Sequence, residues 1–249
     1  MKILPKLEKF IPVFLFALFV VITLPGLRWG APAVWNPDEL VTWVDRALEG
    51  RYTFDEDNFD YPSLPKYTQY ALGKIVYRLG ADETDFIVAA RLISVLLGAG
   101  TVVLVYLVTR LAGASAGIGL LAAGLTLSSS EISVNARFAH NDLYLAFFST
   151  LTVYLTLRYV KDGHKPWLYA AFLGVGLAAS SKYNGAALLL LPLTVYLVKN
   201  RGSFRQNKLG LGETLFVGLV LAYLGFGAGT PRALTYPAFY FKLISVYQI

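Results

Sequence analysis

The chain contains no cysteine. Disulfides, thiolate metal sites and thiol nucleophiles are therefore excluded. It also has little charge: 15% of its 249 residues are Asp, Glu, Lys or Arg, against about 25% in a soluble domain. Hydrophobic residues make up 56%. A soluble protein of this length would need a charged surface to cover its core, and that surface is missing. The two histidines, His140 and His164, are too far apart in the span pattern to share a metal, so no metal site is expected. The net charge of +6 does not imply nucleic acid, because the cations sit in short segments between apolar runs.

Those runs have the length of bilayer crossings, which need roughly 20 apolar residues. Phe10–Leu27 is the first and is read as an uncleaved span, since it lacks a small-residue cleavage site. The others are Leu92–Thr109, Leu111–Ser130, Leu143–Leu157, Pro166–Ser181, Tyr183–Val198 and Thr214–Pro231. With seven spans, Lys2, Lys6 and Lys9, then Arg110, then Arg158, Lys161 and Lys165, then Lys199, Arg201, Arg205 and Lys208 all fall on one side. By the positive-inside rule that side, with the N-terminus, is cytoplasmic. Gly113, Gly117, Gly119 and Gly124 in the third span, and the Gly225/Gly229 pair, suit close helix packing.

The opposite side is acidic. Eleven of the sixteen acidic residues fall between Asp38 and Asp85. The loop from Gly30 to Ala90 is too long for a plain connector and carries two helical patterns. Asn36-Pro37-Asp38-Glu39 reads as a helix start, with Asn36 capping, Pro37 in the first turn and Glu39 closing a capping box. Leu40, Trp43, Val44, Ala47 and Leu48 follow at helical spacing, and Gly50 ends the stripe. A helix near 37–49 with one apolar face belongs in the membrane interface. Ser63 can cap a second helix, near 64–79, ended by Gly80. Between them, Tyr52–Pro62 carries Asp55-Glu56-Asp57, read as a solvated charge run. The domain expectation is one transmembrane domain over 1–249, with no soluble C-terminal domain.

Several residues stand at outer helix ends. Asp38 is not needed for the capping box and is free for chemistry, whereas Glu39 fits either role. Asp142 opens the fourth span, where it, or Asn141, can also act as an N-cap. Arg91 and Arg137 stand at the outer ends of the second and fourth spans, as anion ligands or interfacial anchors. The spans flanking Lys182 have 16 uncharged residues each, about 24 Å of helix against a core near 30 Å. The Lys182–Gly185 turn is thus expected to be recessed, where its ammonium either meets an anion or snorkels to lipid phosphates.

The order of these features resembles a known family. Pro37-Asp38-Glu39 begins the outer loop. Ala90-Arg91-Leu92 leads into the second span, Ala136-Arg137-Phe138-Ala139-His140-Asn141-Asp142 into the fourth, and Ser181-Lys182-Tyr183-Asn184-Gly185 joins the fifth and sixth. Together they are similar to the dolichyl-phosphate-mannose protein mannosyltransferase superfamily, which includes the lipid A aminoarabinose transferases. The resemblance implies an all-α polytopic GT-C bundle of about seven spans with two interfacial helices in the first outer loop. It implies an inverting glycosyltransferase that moves a sugar from a polyprenyl-phosphate donor to an acceptor hydroxyl on the extracytoplasmic face of a bacterial or archaeal membrane. No further cofactor is required, and a divalent metal is neither supported nor ruled out.

Under this resemblance Asp38, Glu39 and Asp142 are the catalytic candidates. Lys182, Arg91 and Arg137 are candidates for the donor phosphate. So is Lys66, which follows Tyr61-Pro62-Ser63-Leu64-Pro65 in a stretch similar to a phosphate-contacting loop of some members. Tyr61, Tyr67, His140, Tyr183 and Asn184 are candidates for the acceptor or sugar pocket. Expected partners are membrane lipid, the polyprenyl-phosphate sugar and a protein of a membrane complex, with no nucleic acid. Two alternatives stay open: a catalytically incomplete GT-C-like subunit of a larger complex, and a transporter. Against the latter, no inverted repeat is visible and the charges gather at span ends rather than at the midplane.

Overall fold

The computed structural model describes residues 8–34, 36–51, 61–203 and 208–247. The Asp55-Glu56-Asp57 run, Lys2, Lys6 and Arg205 lie outside them. Among the described residues the structure is helical, with no strand. The elements are α1 (Ile11–Thr23), α2 (Val41–Leu48), α3 (Leu64–Arg78), α4 (Glu83–Leu111), α5 (Ala116–Ser128), α6 (Ser130–Ser133), a 3₁₀ turn (Asn135–Arg137) and α7 (Asp142–Asp162). Then follow α8 (Lys165–Ser181), a 3₁₀ segment (Tyr183–Leu189), α9 (Leu190–Lys199), α10 (Lys208–Gly229), α11 (Arg232–Thr235) and α12 (Pro237–Tyr247).

Helical segments stand at each of the seven expected places. Three of them, α4, α7 and α10, are each long and apolar enough to cross a bilayer, and the bent pair from α5 to Arg137 is a fourth. Among the described residues the fold is all-α, and its apolar helices are those of an integral membrane protein.

The span bounds differ from the sequence reading in instructive ways. The helix that carries the second span begins at Glu83, nine residues before Leu92, because Asp82 caps it by accepting from the Asp85 amide, and Glu83 and Asp85 complement the helix dipole. Arg91 therefore lies inside the helix, not at its entrance. The third expected span breaks at Ser129, where the chain bends by 61°. The sixth starts as a 3₁₀ segment before becoming α9.

The capping box at Asn36–Glu39 is not formed. Asn36 Oδ1 accepts the Asp38 amide (3.0 Å) in a local turn, and α2 begins only at Val41, with Leu40 as an N-cap lacking a side-chain bond. Glu39 is engaged elsewhere, as shown below. Gly50 and Gly80 do close α2 and α3, each with a positive φ.

The chain divides into two units. Unit 1 comprises 1–53 and 65–147, and unit 2 comprises 54–64 and 148–249. In unit 1, Leu15 and Phe19 of α1 pack on Val95, Ala99 and Val102 of α4, joined by Leu143. Of the third-span glycines, Gly119 lies at a helix contact, against the Tyr106 ring. Among the described residues Gly117 and Gly124 meet no other helix, and Gly113 forms a turn. The α2–α3 pair is tied by the Tyr77 hydroxyl, which donates to Asp45 Oδ1 (2.6 Å). In unit 2, α8 and α10 cross with their backbones touching. A Cβ on Gly176 would overlap the Ala222 carbonyl and Phe226 amide, and one on Gly225 would meet the Leu173 carbonyl. Such small-residue crossings suit a membrane, where apolar transfer adds little between helices and packing must supply the contact.

Candidate functional site

In unit 1 the site is built around a buried ion pair. Arg91 is 1% exposed and Glu39 is 3% exposed. Arg91 Nε donates to Glu39 Oε1 and Nη2 to Oε2, both at 2.8 Å. Arg91 Nη1 also donates to the carbonyls of Leu27 (2.7 Å) and Trp29 (2.8 Å). The guanidinium sits 5.9 Å from the Phe138 ring centre. Burying two charges is costly, but the bidentate fork and the extra acceptors offset that cost. The fork that the sequence reading offered to a phosphate is occupied by Glu39. Glu39, in turn, is not a helix cap but the counter-charge of Arg91.

Glu39 Oε1 also accepts the Ala139 amide (2.8 Å), and the Ala139 carbonyl accepts the Leu40 amide (3.1 Å). The segment bearing Asp38 is thereby fastened to the turn bearing His140, Asn141 and Asp142. Asp38 itself is exposed, one residue from the buried anchor. Asp142 is the first residue of α7, with its side chain 39% exposed. His140 is buried; its Nδ1 accepts the Asp142 amide (3.3 Å) and lies 3.7 Å from Asp142 Oδ2. The structure thus brings together Asp38, Glu39, Arg91, His140 and Asp142 around one backbone junction.

Helix α3 supplies the rest of this polar group. Lys66 and Gln69 are fully buried, and Gln69 Nε2 donates to the Ala139 carbonyl (3.1 Å). The Thr68 and Tyr144 hydroxyls meet at 2.7 Å. Tyr67 is half-buried on the same helix. Arg137 is used differently: Nη2 donates to the Ile22 carbonyl (3.0 Å) and Nη1 to that of Ser133 (2.6 Å). It neutralises the carbonyl end of α1, a structural duty that the sequence reading had not weighed.

Unit 2 holds the other candidates. Lys182 is extended between α8 and the 3₁₀ segment, half-buried, with Nζ 5.9 Å from the Tyr61 ring centre. The turn is tight because Gly185 lies on the Ala178–Ala179 backbone, where no Cβ fits. The Tyr183 hydroxyl meets that of Tyr240 at 2.9 Å, while Asn184 is exposed. Thr230 joins three segments, pairing with the Ser180 hydroxyl (2.7 Å) and accepting the Ser63 amide (3.3 Å). An apolar cavity of about 290 Å³ adjoins the turn, lined by Val175, Ala179, Tyr183, Ala222, Phe226 and Phe241.

Three features escaped the sequence reading. Gln69 is a single amide in an apolar helix and gives no signal of its own. Tyr144 reads as an ordinary span aromatic. Arg232, whose guanidinium lies 4.4 Å from the Tyr236 ring centre and 5.8 Å from that of Phe239, was legible only as a cation in an aromatic segment. Among the described residues no three His, Cys, Asp or Glu side chains converge in a way that could hold a metal.

Comparison with known proteins agrees with this architecture. The chain is 26% identical to dolichyl-phosphate-mannose–protein mannosyltransferase 1 of Saccharomyces cerevisiae over 96% of its own length and 30% of that protein. It is 30% identical to an uncharacterized protein of Aquifex aeolicus over 73% of its length and 36% of that protein. It superposes with a TM-score of 0.67, at 24% identity, on the Saccharomyces cerevisiae protein O-mannosyltransferase Pmt1-Pmt2 complex bound to the sugar donor, over 94% of this chain and 33% of that one. The chain thus spans about a third of the length of these relatives. The profile of the family described as dolichyl-phosphate-mannose-protein mannosyltransferase matches residues 66–223. With more than half of its residues matched, the chain belongs to the dolichyl-phosphate-mannose-protein mannosyltransferase family.

Proposed function

We propose that this chain takes part in inverting glycosyl transfer, moving a sugar from a polyprenyl-phosphate donor to an acceptor hydroxyl on the extracytoplasmic face. The observation that carries the reading is an exposed carboxylate, Asp38, held next to the buried Glu39–Arg91 pair in a chain of this family. A general base must be presented at a fixed place, and a rigid anchor one residue away provides that.

The roles follow the residues. Asp38 takes the proton of the acceptor hydroxyl. The hydroxyl oxygen forms a bond to the anomeric carbon on the face opposite the phosphate. The bond from that carbon to the phosphate oxygen breaks, and its electron pair leaves with the phosphate. The configuration at the anomeric carbon inverts. Glu39 and Arg91 position Asp38 without touching substrate. Asp142 orients the acceptor, with His140 accepting its amide. Lys182, in unit 2 beside Tyr61, is a candidate for the donor phosphate on the family resemblance. Lys66, Tyr61, Tyr67, Tyr183 and Asn184 remain candidates for the phosphate, sugar or acceptor. Arg137, held by carbonyls, is assigned to structure instead.

The test is sugar transfer from polyprenyl-phosphate mannose to a serine-containing peptide by the chain in lipid vesicles. Asp38→Asn should lower kcat by roughly 100-fold or more, within the usual range for a general base, with the protein still folded. Undiminished transfer removes Asp38 from the base role. A second reading, a GT-C-like subunit acting within a larger complex, draws on the likeness to a two-component complex. Transfer that appears only when a co-purified protein is present supports that reading.

A further inference from the structure

Three segments of unit 1 meet on the backbone of one residue, Ala139. The Ala139 amide donates to Glu39 Oε1 (2.8 Å), and its carbonyl accepts both the Leu40 amide (3.1 Å) and Gln69 Nε2 (3.1 Å). Glu39 and Leu40 lead into α2, and Gln69 belongs to α3. The three residues after Ala139 are His140, Asn141 and Asp142.

Gln69 is an expensive choice for this place. It is 0% exposed, and its Oε1 has no hydrogen-bond partner among the described residues. An apolar side chain of the same length would pack α3 without the desolvation penalty of that oxygen. What only the amide supplies is polar contact: the donor to Ala139 and a hydrogen bond with the Tyr144 hydroxyl of the helix that follows the turn. That carbonyl already holds the Leu40 amide, so the Gln69 bond is not needed to satisfy it. It adds a constraint from a second helix, and a carbonyl held from two elements has less freedom to rotate. The turn that begins at Ala139 ends at Asp142.

The structure assigns Gln69 a positioning role: through the Ala139 carbonyl it fixes the His140–Asp142 turn against the Asp38–Leu40 segment, so that the carboxylates of Asp38 and Asp142 keep one relative placement. This rests on the reading of those two residues as the acids of the transfer. Gln69 does not touch substrate; its effect passes through the backbone. A small displacement of a catalytic group costs up to about 100-fold in rate.

The experiment uses the full chain in lipid nanodiscs with polyprenyl-phosphate mannose as donor. Gln69→Met removes the donor and keeps the length. Gln69→Glu regains a donor only when its carboxyl is protonated. The expected result for Gln69→Met is a kcat lower by roughly 10- to 100-fold with KM for the donor within about twofold. For Gln69→Glu, kcat should recover as the pH falls, a limb absent from the wild type and from Gln69→Met. Hydrogen exchange should quicken at residues 138–142 in Gln69→Met, while residues 70–78 of α3 keep their protection.

An unchanged kcat in Gln69→Met overturns the inference. So does a loss accompanied by general loosening of α3 that low pH does not reverse in Gln69→Glu. If Gln69→Met fails to fold, the pH response of Gln69→Glu decides the matter. If the wild type transfers no sugar, the functional reading fails by itself, and unchanged exchange at 138–142 then overturns the positioning role independently.

Discussion

Arg91 and Glu39 are separated by 52 positions in the chain yet share two hydrogen bonds in a site that solvent scarcely reaches. Removing one partner leaves the other as an unpaired buried charge. Arg91→Ala or Glu39→Ala is therefore expected to cost about 3–5 kcal/mol, seen as a large fall in the detergent-solubilised melting temperature. Arg91→Lys should recover only part of this, since an ammonium cannot span both carboxylate oxygens. Asp38→Asn, at an exposed position, should leave stability within about 0.5 kcal/mol, which separates the anchor from the proposed base. The acids and the arginine were each legible from their places at helix ends. Their pairing was not, because a capping box is judged over three residues, whereas the partner of Glu39 lies in another helix. Gln69 was invisible for a related reason: an isolated amide acquires meaning only from the carbonyl it meets.

At the scale of elements, each of the seven apolar runs coincides with helix among the described residues, since a bilayer crossing demands a long uncharged run in helical form. Hydropathy did not locate the break at Ser129 or the 3₁₀ start at Tyr183, because neither contains the proline that usually marks such features. The Ser128-Ser129-Ser130 run was the available clue, for Ser128 turns its hydroxyl back onto the Gly124 and Leu125 carbonyls. The α8–α10 crossing gives a direct prediction. Gly176→Leu must push the two backbones apart and should destabilise unit 2 by about 1–3 kcal/mol or more, whereas Gly124→Leu, facing open space, should be close to neutral. Thermal aggregation of the two variants checks this. The α2–α3 link has a pH signature. Burial, then the Asp45 carboxylate, pushes the Tyr77 phenol well above its ordinary value of 10. Because the folded pKa is raised, the contribution is full below the unfolded value near 10 and is lost as pH climbs beyond it. Tyr77→Phe should remove that alkaline loss while lowering stability by about 1 kcal/mol at neutral pH, as measured by melting curves between neutral and alkaline buffer.

At the scale of the whole molecule, the family and the membrane character follow from the order of motifs and the apolar helices, while the proposed orientation rests on charge alone. The absence of cysteine makes that orientation easy to test. Leu79→Cys, on an 80% exposed residue after α3, should react with an impermeant maleimide in intact cells, and His164→Cys, between α7 and α8, should not. The reverse pattern would place the acids on the cytoplasmic face and remove the proposed setting for the donor. Inverting transfer to a hydroxyl is the central claim, and its most direct measurement is the anomeric configuration of the product. The chain in vesicles, given polyprenyl-phosphate mannose of known configuration and a serine-containing peptide, should yield a glycoside of opposite configuration, read by NMR. A glycoside that retains the donor's configuration would contradict the account.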